Sequence, residues 1–441
     1  MKLFTFKGGV HPSDNKVQTE NQAIQNFDAP KMVHVALLQH IGAPLNALVK
    51  PGDRVLKGQK IGDSEAFMSA PIHSPVSGTV KKIEFLPFPS SGKVNTVIIE
   101  NDGLEELAEL PTIKDWKNAS KEDLLSMVRE KGIVGVGGAC FPTHIKLNPP
   151  KDMPIDTLVV NGAECEPYLN ADNRLMLEDP KSIIEGIKIV MHILGINSAK
   201  IGIENNKPDA IASMMKTIEE LEGTEGIEVC PLKTQYPQGG EKQLISAIMD
   251  REVPSAALPA KVGVVVQNTA TCALIYEGLV NGMPLIEKTV TISGKAIKNP
   301  MNLKVRIGTM FKDLLDHAGI EREAVDKLVS GGPMMGMAQP SEDVPVVKGT
   351  SGLLALTTEE TNPCKPKNCI LCGKCVTVCP MGLEPLMYAK LAKFNQWEEM
   401  GKYNLMDCIS CGSCSYICPA NRPLTEAINI GKAKLRAMPR K

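Results

Sequence analysis

The chain has 441 residues, and at roughly 100 to 200 residues per domain it is long enough for about three to four folded units, each with its own core. Hydrophobic residues at 43% and charged residues at 22% exclude a disordered or collagen-like chain, and 49 basic against 50 acidic residues, a net charge of −1, exclude bulk attraction to nucleic acid. The longest apolar runs, such as Val262 to Val266, fall far short of the roughly 20 residues of a spanning helix. No charged start, apolar segment and small-residue cleavage site follows Met1, so a cytoplasmic chain is expected.

An N-terminal arm over 1–30 carries Phe6-Lys7-Gly8-Gly9-Val10-His11-Pro12. Over 31–110, short alternating strands broken by Gly and Pro predict a small β-barrel, as in Val49-Lys50-Pro51-Gly52-Asp53 and Ala70-Pro71-Ile72-His73-Ser74-Pro75. It resembles the lipoyl/biotinyl-carrying barrel. Where such a carrier presents its attachment lysine, this chain reads Glu65-Ala66-Phe67-Met68-Ser69, so a structural or docking role is expected.

From 115 to 255 helical and strand patterns alternate. Helices are predicted over 121–131, 181–194, 209–221 and 240–250, and strands over 157–160, 200–203 and 227–230. This is the signature of a parallel sheet covered by helices, whose ligands lie beyond the carboxyl ends of the strands. The loops at that edge are polar: Asn161-Gly-Ala-Glu164-Cys-Glu166-Pro167, Glu204-Asn205-Asn206, and Tyr236-Pro-Gln-Gly239-Gly240-Glu241-Lys242. Ahead of them, the glycines of Gly132-Ile-Val-Gly135-Val-Gly137-Gly138-Ala-Cys140-Phe141 let the backbone close on a flat or phosphorylated ligand. Over 256–355, strands at Thr289 to Lys295 and Asn302 to Ile307 and a helix from Thr309 to Ala318 suggest a β-grasp unit. His34, His40, His73 and His144 are scattered and are expected to be ordinary polar residues.

The chain has thirteen cysteines, and nine lie between Cys364 and Cys418. A reducing compartment disfavours disulfides as their explanation. Cys369-Ile-Leu-Cys372-Gly-Lys-Cys375-Val-Thr-Val-Cys379-Pro and Cys408-Ile-Ser-Cys411-Gly-Ser-Cys414-Ser-Tyr-Ile-Cys418-Pro are two copies of C-x2-C-x2-C-x3-C-P. Three thiolates of each loop wrap one four-iron cube and the fourth reaches to the other. Cys369, Cys372, Cys375 and Cys418 are thus expected to hold one [4Fe-4S] cluster, and Cys408, Cys411, Cys414 and Cys379 a second, in a helical two-cluster ferredoxin-like unit over 360–441. The competing reading, two zinc sites, fits the repeated triplets less well. Cys364 falls outside the pattern. A single long helix is expected between the motifs, from Leu386 to Tyr403, and the basic run Lys432, Lys434, Arg436, Arg440 and Lys441 is read as a solvated helix end.

Gly135 to Thr143 with Lys146 resembles the flavin-binding glycine loop of the NADH-oxidising flavoprotein subunit of respiratory complex I and its hydrogenase relatives. Asn161 to Pro167, Tyr236 to Lys242 and Gln267 to Thr271 are similar to further segments of that family. The resemblance implies that Gly135, Gly137, Gly138, Lys146, Asn161, Glu164, Asn268 and Thr271 surround FMN, and that Phe141, Glu166 and Glu241, with the Tyr236 loop, face NAD(H). Three positions depart from the family pattern: Cys140 replaces a glycine, Ala163 an acid and Gly240 a glutamate.

The order of barrel, flavin unit, β-grasp unit and two-cluster unit resembles, over nearly the whole chain, the C subunits of the Rnf complexes. That resemblance implies a peripheral subunit on the cytoplasmic face of a membrane-bound redox complex. Such a subunit exchanges electrons between NAD(H), FMN and two [4Fe-4S] clusters, coupled through the other subunits to ferredoxin and to sodium or proton movement. Two alternatives are a cobalamin reductase-type flavin/iron–sulfur protein, which the leading barrel disfavours, and a cluster-bearing scaffold without a working nucleotide site, which Ala163 and Gly240 keep open.

Overall fold

The computed structural model describes residues 2–89 and 92–438; Arg440 and Lys441 of the basic end lie outside them. Near the N-terminus, two small sheets face each other. One has the strand order Met32–Ala36, Lys93–Asn101, Gly78–Pro87, Arg54–Val55, and the other Asn46–Ala47, Lys60–Asp63, Ile72–His73. Alternating residues such as Val33, Val35, Val97 and Ile99 fill the space between them with no exposure. The Glu65 to Ser69 hairpin projects Phe67, which is exposed.

The second unit is a four-stranded parallel sheet in the order Ile227–Leu232, Ala199–Glu204, Thr157–Asn161, Val264–Asn268. Its strands are buried on both faces, as crossover helices require: Leu158 and Val160 point to one core and Val159 to the other. The predicted helices form as Lys121–Glu130, Pro180–Leu194, Pro208–Glu220 and Glu241–Met249. The fourth strand and the helix after it, Thr269–Val280, come from beyond residue 255, where the sequence suggested that this unit ends. The resemblance at Gln267 to Thr271 points to this unit, and the pairing with Thr157–Asn161 places the strand in its sheet. Helices Pro180–Leu194 and Thr269–Val280 meet at Gly186, where an added Cβ would lie 1.9 Å from the Cys272 carbonyl oxygen.

A six-stranded mixed sheet follows, in the order Ile24–Asn26, Met301–Arg306, Glu287–Ser293, Gly352–Thr357, Val325–Ser330, Met337–Gln339, with helix Phe311–Ala318 on its core. The N-terminal arm is therefore not free. Phe4 bridges to Leu232 at the edge of the parallel sheet, Val10 bridges to Tyr236, and Ile24–Asn26 becomes an edge strand of the six-stranded sheet.

The C-terminal unit is helical, with Pro385–Lys393, Trp397–Lys402 and Leu424–Ala437 around a small core. The single helix expected over Leu386 to Tyr403 is broken at Phe394 to Gln396. Asn395 adopts a left-handed φ of 54°, and the Gln396 N–H returns to the Leu391 carbonyl, a C-terminal cap that Asn tolerates nearly as well as Gly. Absence of Gly and Pro was not enough to keep the helix going.

Lys348 pins the first two units together. Its Nζ is buried and donates to the carbonyls of Pro71 at 2.8 Å and Gly132 at 2.6 Å. Burial, relieved only by Cys140, pushes its ammonium down to about 7 from an ordinary 10.5. The unfolded chain therefore holds this proton to higher pH than the fold does, and stability must rise as pH climbs from 7 toward 10.5. Replacing Lys348 by Met removes that slope: between about pH 7.5 and 9.5 the unfolding free energy of the wild type should gain about 1.4 kcal/mol per pH unit over the variant, read from urea titrations by tryptophan fluorescence. Parallel curves would show that Lys348 does not titrate there. Gly186→Ala should lower the melting temperature strongly, because the methyl would meet backbone and the strain of overpacking is about 1–3 kcal/mol or more.

Candidate flavin cavity and cysteine cages

The carboxyl edge of the parallel sheet opens into a cavity of about 1210 Å³. One wall is the glycine loop, whose course follows from three bonds. The Gly135 N–H donates to the Phe141 carbonyl at 2.9 Å and closes the neck. The Val136 N–H donates to Thr271 Oγ1 at 3.2 Å, and Lys288 Nζ donates to the Val136 carbonyl at 3.0 Å. Between these anchors Gly137, Gly138 and Ala139 face the cavity. A Cβ on Gly138 would meet nothing within 4 Å, whereas one on Gly137 would lie 2.6 Å from the Asn268 amide. Cys140, where the related flavoproteins have glycine, takes a left-handed φ of 55°, which costs a side-chain-bearing residue roughly 1–2 kcal/mol.

Of the residues singled out from sequence, Gly137, Gly138, Asn161, Glu164, Glu166, Tyr236, Glu241 and Asn268 line this cavity. Gly135, Phe141, Lys146 and Thr271 are not among its lining residues. Gly135, Phe141 and Thr271 shape the loop from behind, and Lys146 forms an ion pair with Glu241 at 2.7 Å.

The lining polar groups are largely committed to one another. Asn161 Nδ2 donates to the Gly239 carbonyl, tying the first loop to the third. Glu164 accepts from the backbone N–H groups of Asp172 and Asn173 at 2.8 and 3.0 Å, so it caps the helix Ala171–Glu178 from outside. Asn268 caps Thr269–Val280 through the Thr271 N–H and donates Nδ2 to Asp172 at 2.6 Å. Burial, and then the neighbouring Glu164, raise the Asp172 carboxyl above its usual range, while burial lowers the Lys288 ammonium. Behind the second loop, Glu204 and Lys207 form a buried pair, and Lys207 also donates to the Ala163 carbonyl. Where the family has a glutamate, Gly240 is the N-cap of Glu241–Met249, and a Cβ there would lie 2.4 Å from Gln243 Oε1.

Asp172 and Lys288 were missed from sequence. Asp172 stands six residues beyond Glu166 and could have been found by extending that segment. Lys288 starts in another sheet, and no local signal places it here. The same holds for Gln39 and His40 of the N-terminal unit and for Ser330 to Met337, whose residues also border the cavity.

A second, smaller cavity lies alongside, lined by Cys379, Cys408, Cys411 and Cys414 together with apolar Leu383, Pro385, Tyr388 and Ile428. These are the four cysteines grouped from spacing alone. Backbone N–H groups of Leu383 and Ser410 point at the sulfurs of Cys379 and Cys408 at 3.4 and 3.3 Å. Among the described residues no three His, Cys, Asp or Glu converge on a point that would hold a single metal ion. Of the other four, Cys369 and Cys418 are close enough to Cys375 to raise its thiol, after burial, and Cys369 and Cys372 are exposed beside exposed Ile370 and Leu371. The two motifs repeat in backbone as in sequence: Leu371 and Ser410 have φ of 57° and 56°, and Gly373 and Gly412 of 74° and 81°. Cys364 is exposed.

The two cavities share a wall. Tyr236, buried and lining the first, donates its hydroxyl to the Cys411 carbonyl at 2.8 Å and lies 3.3 Å from Glu166 Oε1. Ile409 borders both cavities.

Four family models match the chain in succession: the RnfC barrel sandwich hybrid domain over residues 4–104, the Nuo51 FMN-binding domain over 128–277, the SLBB domain over 289–338 and the 4Fe-4S dicluster domain over 365–422. Over 99% of its length the chain is 49% identical to the C subunit of the proton-translocating ferredoxin:NAD(+) oxidoreductase complex of Clostridium ljungdahlii, covering 95% of that protein. It is 46% identical, over 100% of its length and 99% of the relative's, to the C subunit of the Na(+)-translocating complex of Acetobacterium woodii. The corresponding C subunit of the ion-translocating oxidoreductase complex of Rhodobacter capsulatus is 44% identical over 99% of this chain, with 84% of that protein covered. Among solved structures, an NAD+-reducing [NiFe]-hydrogenase in its air-oxidised state aligns with a TM-score of 0.50 at 16% identity, over 73% of this chain and 68% of that one, a likeness of fold. With near-full-length identity of this order, the chain belongs to the family of C subunits of the ion-translocating ferredoxin:NAD oxidoreductase, or Rnf, complexes.

Proposed function

We propose that this chain is the subunit through which such a complex exchanges electrons with NAD(H), by way of FMN in the large cavity and two [4Fe-4S] clusters in the cysteine cages. The observation that carries the reading is the shared wall, where Tyr236 touches the Cys411 loop on one side and faces the cavity on the other. Bound FMN supplies the exchange between a two-electron hydride and single electrons, which the clusters carry onward.

The residues present suit these groups. A cavity of about 1210 Å³ exceeds the roughly 300–1,000 Å³ usual for one ligand, which suits two nucleotides side by side. The open backbone at Gly137 and Gly138 admits a flat ring or phosphate, with Asn161, Glu164, Asn268 and Lys288 holding the walls. The chain's own residues bind, orient and exclude water; no acid–base pair is required. Cys379, Cys408, Cys411 and Cys414 would hold the cluster beside the cavity within an apolar shell that shields it from solvent. Cys369, Cys372, Cys375 and Cys418 would hold the outer one, where exposed Ile370 and Leu371 leave a face for the next carrier. No helix among the described residues is long and apolar enough to cross a membrane. The chain would therefore be held peripherally by its partner subunits, on the cytoplasmic face, where NAD(H) is available.

Protein purified without oxygen and reconstituted with FMN, iron and sulfide should retain flavin and about eight irons per chain, and NADH should bleach both flavin and cluster bands. Full iron with no flavin and no response to NADH would favour a scaffold that only carries electrons. The order of carriers is tested by two substitutions. Cys414→Ser should halve the iron and leave the remaining cluster unreduced by NADH although the flavin still bleaches, whereas Cys372→Ser should halve the iron yet leave the remaining cluster reducible. The opposite pattern would reverse the order. Gly138→Ala, whose methyl meets no protein atom, should leave the apoprotein's melting unchanged and lower flavin retention at least tenfold.

A further inference from the structure

One wall of the large cavity belongs to neither the flavin sheet nor the cysteine unit. Between strands Val325–Ser330 and Met337–Gln339 of the six-stranded sheet, the chain turns through Gly331 to Gly336 and enters the site. Glu166 fastens it there: its two carboxylate oxygens accept from the backbone N–H groups of Met334 at 3.0 Å and Met335 at 2.9 Å. Glycine is needed for the fit. A Cβ on Gly332 would lie 2.2 Å from Glu166 Oε2, one on Gly336 2.3 Å from the Gly332 carbonyl oxygen, and Gly331 has a φ of 96°. Glu166 is thus occupied as the anchor of this loop.

Three methionines here, Met334 and Met335 in the loop and Met337 at the start of the next strand, divide by role. Met334 packs inward against the cluster of Val10, Tyr236 and Cys411. Met335 and Met337 do the reverse: they line the cavity yet are 53% and 43% exposed. Large apolar side chains held open on the wall of a cavity mark a ligand surface, and the unbranched, polarisable thioether adapts well to the face of a flat ring. The strand that carries Met337 is held in turn by Gln339, whose Nε2 donates to the Pro89 carbonyl at 2.8 Å, next to Phe88, another lining residue.

We propose that Met335 and Met337 form the platform on which a heteroaromatic base of the nicotinamide dinucleotide lies, so that the six-stranded unit supplies the dinucleotide half of the site opposite the glycine loop. The proposal rests on reading the cavity as a flavin and NAD(H) site. It gives this unit a substrate-binding task and turns Glu166 from a nucleotide contact into the positioning residue of the loop.

The test uses the reconstituted full chain. Met335→Ala combined with Met337→Ala should raise the NAD+ dissociation constant about tenfold or more, measured by titration calorimetry with NAD+, which does not reduce the flavin, with FMN and iron contents unchanged. Photoactivated diazirine footprinting of the wild type gives a second readout: NAD+ should protect Met335 and Met337 but leave the exposed Met215 and Met406 labelled as before. Protection by AMP would assign the platform to the adenine, and protection by nicotinamide mononucleotide to the nicotinamide. Unchanged NAD+ affinity in the double variant with no protection by NAD+ would overturn the proposal. So would loss of FMN from the double variant, because the platform would then serve the flavin. A wild type that binds no FMN at all would instead overturn the reading of the cavity itself, a separate result from either.

Discussion

The structure turns on one buried side chain. Tyr236 places its ring on the wall of the large cavity and its hydroxyl on the carbonyl of Cys411. On the proposed reading, electrons that enter as hydride and leave singly cross from one cavity to the other, and this shared wall is a short crossing. Burial raises the phenol far above its ordinary range, so it remains a neutral hydrogen-bond donor at any physiological pH. Much of the chain converges on this point. The N-terminal arm pairs with it on both sides, Val10 exchanging backbone bonds with Tyr236 while the Gly9 N–H donates to the Val378 carbonyl of the first cysteine loop. Gln243, in the first turn of the helix after the Tyr236 loop, reaches the Pro380 carbonyl, and Asp407 accepts from Ser255 and Ala256. The cysteine unit is thus bound to the flavin unit by polar contacts as well as by packing.

The large cavity has polar walls, and buried polar groups are for the most part hydrogen-bonded. Here many of them bond one another, although Gln243 Oε1 has no partner among the described residues. Glu164 caps a helix, Asn268 caps another and holds Asp172, Asn161 ties two loops, and Lys288 braces the glycine loop. The result is a preformed cavity whose ligand-facing groups have little freedom left to lose, which lowers the cost of binding. Burial beside Glu164 favours the neutral form of Asp172, and the Lys288 ammonium is set against the pair of carboxyls.

The chemistry at the two ends of the electron route is set by exposure. The inner cysteines Cys411 and Cys414 are buried among apolar side chains, while Cys369 and Cys372 face solvent. An apolar shell and solvent access act oppositely on cluster potential. One sequence motif used twice therefore yields two different electronic environments, decided by what packs around each copy.

The parts whose chemistry is local were legible before any fold was known. Cysteine spacing sorted eight cysteines into two expected sets, because a cube is wrapped by one loop and closed by a residue a fixed step away; Cys379, Cys408, Cys411 and Cys414 of one set line one cavity. Alternating helix and strand patterns announced the parallel sheet, because a strand buried on both faces reads as an unbroken apolar run. What spacing and periodicity could not carry is who stands opposite whom. The strand Val264–Asn268 joined the parallel sheet, and Asn395 ended a helix that composition would have continued, because pairing partners and caps are not written in a segment's own pattern. The cavity's remaining walls, from Gln39 and His40, from Lys288 and from the methionine loop, come from units whose sequences carry no nucleotide signal. Only the docking of those units against the sheet, fixed by contacts between residues more than a hundred positions apart such as Glu166 with Met335 and Tyr236 with Cys411, brought them together.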